Sequence, residues 1–167
     1  MSVITLDCGS KFVPSFNKPD SLLMEAVFDV TFGGEYNSIL SSFCGFPVFV
    51  ADSEEFTRYA SCSAVNVNDC FQPFICISNY VINLLGGLDS SLVSAVILHE
   101  VGHLVNGDVG TDARDILEYV RKERAADGYA VRLGYGRSLA EALSALYPDG
   151  DIPSIVMNRI KVINESL

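Results

Sequence analysis

A chain of 167 residues, 49% of them apolar, fits one domain with a single continuous core. Its 21 acidic and 11 basic residues leave a net charge of -10, which repels phosphate backbones and anionic lipid headgroups and argues against a nucleic-acid partner. No apolar run approaches the roughly 18 residues that a membrane span needs, the longest being interrupted by Asn79, Asn83 or Glu100.

In chain order, the start "MSVITLDCGSKF" carries neither the basic stretch nor the apolar core of a secretory signal, so the expected compartment is the cytoplasm. Asp20 or Ser21 is placed to cap a helix with Leu22, Leu23, Ala26, Val27 and Val30 at helical spacing, ended by Gly33-Gly34. A second short helix is expected over Tyr36 to Phe43. From Phe46 the period changes, and "FPVFVAD", "ASCSAVNV" and "PFICISNYVI" read as three short strands separated by Asp, Asn and Pro clusters.

After Gly86-Gly87 the chain turns helical, with Ser90 or Ser91 as cap, Leu92, Val93, Val96, Ile97, Leu98, Val101 and Leu104 apolar nearly all round, and an end near Gly107. Such a helix belongs in the centre of a fold. Thr111 is the expected cap of a helix from Asp112 to Leu133, stopped by Gly134, and two more follow over Ser138 to Tyr147 and Ile152 to about Ile163. No repeat or linker divides the chain. The five cysteines, Cys8, Cys44, Cys62, Cys70 and Cys76, are odd in number and lack C-x-x-C spacing, as expected of reduced thiols.

Both histidines of the chain lie in "VILHEVGHLVNGD", inside the central helix. Residues i and i+4 stand one above the other, so His99 and His103 can present two ring nitrogens to one cation, and Zn²⁺ suits that donor pair. Glu100 projects at a different angle, within reach of a water on the metal without being a ligand, as a general base requires. A catalytic zinc needs a third protein ligand and an open fourth position. In "RKERAADGYA" on the following helix, Glu123 and Asp127 repeat the i, i+4 spacing: Glu123 is a candidate third ligand and Asp127 a candidate acceptor for a ligand histidine's other ring proton. The same pair also suits a solvated helix face that balances Arg121, Lys122 and Arg124.

Metzincins would need Gly at 106 and His at 109, where this chain has Asn106 and Val109, and "GTDARD" puts Arg114 where the aspzincin pattern has Asp. The sequence instead resembles the M48-type gluzincin metallopeptidases in "VFVAD", "YASCSAV", "FICIS", "HEVGH" and "ERAAD", over about Phe46 to Gly136. The first 45 residues, read as a helical region, match no family. The resemblance implies an α+β fold in which a small mixed sheet of about three strands packs on the zincin active-site helix and a second ligand-bearing helix. It implies zinc held by His99, His103 and Glu123, Glu100 as general base and acid, Asp127 in support, and hydrolysis of peptide bonds. It also implies that an exposed edge strand near 74–82 pairs with extended peptide or protein substrate, although the same residues suit a plain core strand equally well. The chain has no spare histidine to stabilise the oxyanion, which leaves Arg132, Tyr129, Tyr135 or Tyr119 for that role. The rival expectation is a binding module that keeps the fold and the zinc without turnover.

Overall fold

The computed structural model describes residues 39–43, 46–51, 59–67, 70–109 and 113–167. The helix expected over Leu22 to Val30, together with Cys8, Cys44, Thr111 and Asp112, lies outside the described residues. The described residues form an α+β arrangement of four strands followed by five helices.

Strands β1 (Ile39–Phe43), β2 (Phe46–Ala51), β3 (Ala60–Val67) and β4 (Cys70–Ser78) lie side by side in the order β1-β2-β4-β3. β2 and β4 are parallel and the other two pairs antiparallel, so the sheet is mixed, as expected. Two expectations fail here. Residues 39–43, read as the end of a short helix, instead pair with β2, Ile39 opposite Phe49 and Leu40 opposite Val48. A helix that short is barely stable by itself, whereas a ladder satisfies the same backbone groups on a neighbour. β4 is also not the edge strand: Ile75 stands opposite Val48 on one side and Cys62 on the other, so both its edges are occupied and β1 and β3 are the outer strands among the described residues.

The strand expected to run to Ile82 ends at Ser78, whose hydroxyl accepts the Val81 N–H at 3.2 Å and caps helix α1 (Asn79–Gly86). Val81, Ile82 and Leu85 then face the core at helical spacing, a pattern that a run of β-branched residues disguises in the sequence. Helix α2 (Ser90–Asn106) starts from Asp89, which takes the Ser91 N–H at 2.7 Å, so the cap precedes the two serines expected to provide it. It ends at Gly107 with φ +74°, the left-handed conformation that glycine adopts without penalty. Every residue from Leu92 to Gly102 is buried, and α2 packs on the sheet, on α1 and on the two helices that follow. Helix α3 (Ile116–Arg132) begins at Asp115, which accepts the Glu118 N–H at 2.8 Å, four residues later than the expected start. Helices α4 (Gly136–Ala145) and α5 (Ser154–Glu165) complete the described chain.

The core joins Val48, Ile75 and Ile77 of the sheet to Leu85, Val93, Ile97, Leu139 and Ile163 of the helices. One contact in it sets the geometry of the site. A Cβ built on Gly102 of α2 would come within 2.8 Å of the Cα and carbonyl oxygen of Ala126 on α3. The two helix backbones can therefore approach this closely only because position 102 lacks a side chain. Among the described residues no helix is long and apolar enough to cross a membrane.

Candidate metal centre

Helical phase decides which side chains α2 and α3 offer each other. His99 and His103 lie one turn apart on α2, on either side of the Gly102 contact, and Glu123 lies one residue short of a turn before Ala126 on α3. The three side chains converge. His99 Nε2 is 3.2 Å from His103 Nε2, and the Glu123 carboxylate straddles the pair, with Oε2 at 3.4 Å from His99 Nε2 and Oε1 at 3.4 Å from His103 Nε2. A tetrahedral site with ligand bonds of about 2.0–2.1 Å has edges of about 3.3–3.4 Å, so the spacing of these donors fits one small divalent ion. Two imidazoles and a carboxylate are also the donor types that catalytic zinc takes. His99, His103 and Glu123 are thus brought together as a group able to hold a metal ion.

Around this group the ring nitrogens that face away are engaged. His99 Nδ1 is 2.9 Å from Asp127 Oδ1, the contact anticipated for Asp127. His103 Nδ1 is 3.3 Å from Asp108 Oδ2. Asp127 and Glu123 are in turn bound by Arg159 of α5: Nε donates to Asp127 Oδ2 at 2.9 Å, Nη2 to Asp127 Oδ1 at 2.7 Å, and Nη1 lies 2.6 Å from Glu123 Oε2. Arg159 is 8% exposed, and its one planar fork holds two carboxylates.

Sequence reasoning missed Arg159. The signal was available: Val156, Arg159 and Ile163 recur at i, i+3 and i+7 and form the buried stripe of α5, so a charged residue occupies a core position. A buried guanidinium needs anionic partners, and the carboxylates of α3 supply them.

Charge in the cluster is balanced by mutual contact. Burial alone would push His99 down, but its hydrogen bonds to Asp127 and Glu123 outweigh burial and hold it up at about 9. Burial raises Glu123 and Asp127, yet both histidines and Arg159 hold Glu123 far below its ordinary value, and His99 and Arg159 hold Asp127 below its own. Glu100 is shifted the other way: it is 7% exposed, and burial raises it against the pull of His99 and His103. The contacts with Asp127 and Glu123 therefore favour the protonated form of His99.

The cluster forms one wall of a cavity of about 470 Å³ that also reaches Ala60, Ser61 and Cys62 of β3, Tyr119, Lys122, Tyr147 and the apolar side chains Leu139, Leu143 and Val156. Glu100 lines it beside the two histidines. Of the oxyanion candidates only Tyr119 does. Tyr129, Arg132 and Tyr135 fall away from it for reasons of phase: Tyr119 precedes Glu123 by four residues and shares its face, whereas Tyr129 and Arg132 lie two and five residues past Asp127. Tyr129 is buried, the Arg132 guanidinium sits 5.7 Å from its ring centre, and Tyr135 lies beyond the end of α3. Cys62 and Cys76 are free thiols, with Cys62 pushed up to about 12 by burial and by Glu100.

Comparison with protein-family models, with curated proteins and with solved structures finds no match to this chain.

Proposed function

We propose that this protein is a zinc-dependent metallopeptidase of gluzincin type, with His99, His103 and Glu123 as the residues that hold the metal. The observation that carries the reading is the convergence of those three side chains at 3.2–3.4 Å, on the wall of a cavity that Glu100 also lines. Zinc bound there would polarise a carbonyl and lower the pKa of a water to about 7.

The residues of the chain supply the rest. Glu100, held above the ordinary carboxylate range by burial, accepts a proton from the attacking water as the new C–O bond forms and delivers it to the leaving amine nitrogen as the C–N bond breaks. Tyr119, on the face of Glu123 and at the cavity, offers its hydroxyl to the developing oxyanion. Burial and the nearby Glu123 raise its pKa, which keeps the hydroxyl protonated for that task. Extended substrate pairs with β3 in place of β4, because β3 is the outer strand whose residues, Ala60 to Cys62, line the cavity. Arg159 holds Glu123 and Asp127 in place and donates to both.

Metal content of protein purified without a histidine tag, followed by digestion of an extended peptide library, tests the reading. The expected result is one zinc per chain and cleavage that falls by about 10²–10⁴-fold in Glu100→Gln while zinc is retained. Absence of zinc overturns it. Zinc without Glu100-dependent cleavage identifies a binding module instead.

A further inference from the structure

The inference concerns Asp108 and rests on the metallopeptidase reading. Zinc takes an imidazole through a lone pair on one ring nitrogen, so the other nitrogen must carry the proton, and whatever accepts that proton fixes both tautomer and ring orientation. His99 has Asp127 for this purpose at 2.9 Å. His103 faces a different carboxylate: its Nδ1 lies 3.3 Å from Asp108 Oδ2 while its Nε2 points at the shared metal position.

Asp108 is bound to His103 at two points. The Asp108 backbone N–H donates to the His103 carbonyl oxygen at 3.0 Å, closing the turn at the end of α2, and the carboxylate then folds back to the ring. Gly107 makes this reversal feasible, with φ +74° and nothing within 4 Å of where a Cβ would stand. The Asp108 side chain is 14% exposed and lines the cavity, so its charge is poorly screened by water. The motif thus extends beyond the two histidines and their glutamate to the "NGD" that follows them.

We propose that Asp108 is a positioning residue for the metal: it holds His103 as the tautomer with the proton on Nδ1 and aims Nε2 at the ion, as Asp127 does for His99. The two ligand histidines are then each set by a separate carboxylate, one from the next helix and one from the turn that ends their own.

The test is zinc affinity, read by competition with a chromophoric chelator, in Asp108→Ala, Asp108→Asn and wild type. Alanine removes both acceptor and charge and is expected to weaken zinc binding by about 10–100-fold. Asparagine keeps an acceptor oxygen but no charge and should fall between alanine and wild type. Gly107→Ala, which strains the turn without touching the carboxylate, should also weaken binding, and Gly107→Asn, which tolerates this conformation better, should weaken it less. The visible absorption of the cobalt-substituted protein should change in Asp108→Ala, a ligand-field readout that a purely structural role for Asp108 would leave alone. If Asp108→Ala does not fold by circular dichroism, Asp108→Asn decides, since its backbone turn is intact. Zinc affinity within twofold of wild type and an unchanged cobalt spectrum in the deciding variant overturn the inference while leaving the metallopeptidase reading standing. A wild type that takes up no zinc overturns both.

Discussion

His99 carries opposing demands. Its hydrogen bonds to Asp127 and Glu123 outweigh burial and raise its pKa from 6.5 to about 9. A raised folded-state value means that this clasp stabilises fully below about pH 6.5 and is lost as pH rises through about 9. Glu123 and Asp127 are depressed, so their contribution is present above their unfolded values and lost as pH falls below them. Thermal melts of metal-free protein should therefore peak between about pH 5 and 6.5. Zinc binding runs the other way, because it displaces the His99 proton: apparent affinity should rise by up to about tenfold per pH unit from pH 7 towards 9, as measured by chelator competition. A pH-independent affinity over that interval would contradict the proton displacement.

Arg159 has a different consequence. It is the guanidinium that neutralises the buried Asp127 and the half-buried Glu123, and Arg159→Met would leave both without it. Urea unfolding of the metal-free variant should show a loss of about 3–5 kcal/mol, the cost of breaking a buried ion pair from one side. Arg159→Lys should recover only part, because a single ammonium cannot form the planar fork to Asp127 and reach Glu123 as well.

For the helices the decisive contact is backbone to backbone. Gly102→Ala offers about 1 kcal/mol of better helix propensity, but its methyl group would stand 2.8 Å from Ala126 Cα and O. The clash wins, since backbone atoms of α3 cannot rotate aside as a flexible side chain would. We expect a net destabilisation of about 1–3 kcal/mol in chemical unfolding. Zinc affinity should fall with it, because spreading α2 from α3 draws Glu123 away from the histidines. The glycine of "HEVGH" thus sets the distance on which the third donor depends, which motif spacing alone does not disclose.

Taken as a whole, the described chain unites His99, His103 and Glu123 from two helices and anchors Glu123 from a third, so occupancy of the proposed zinc site should stabilise the entire fold. Zinc at about 100 times its dissociation constant adds about 2.7 kcal/mol, which for a chain of this size raises the melting temperature by about 5–10 °C. Differential scanning fluorimetry with zinc, and its reversal by a chelator, checks this; Glu123→Gln should show a smaller rise. The cavity beside the cluster is walled by β3, α3, α4 and α5, so its shape is a property of the assembly.

Much of this was legible in the residues. The pairs His99 and His103, and Glu123 and Asp127, could be read as faces because an α-helix has a fixed period, and Gly107 and Gly134 marked helix ends because their backbones adopt φ +74° and +85°. The buried all-apolar α2 was equally plain. Other features depend on partners far along the chain. Residues 39–43 became a strand only through β2, and β4 became central because β2 and β3 flank it. Arg159 reached the site only because α5 packs against α3. The phase of side chains along a helix and the glycines that end it are properties of a few consecutive residues, so the amino-acid order alone determines them. Strand order, close helix approach and the partners of a buried charge are settled between residues distant in sequence, where only the packed tertiary structure decides.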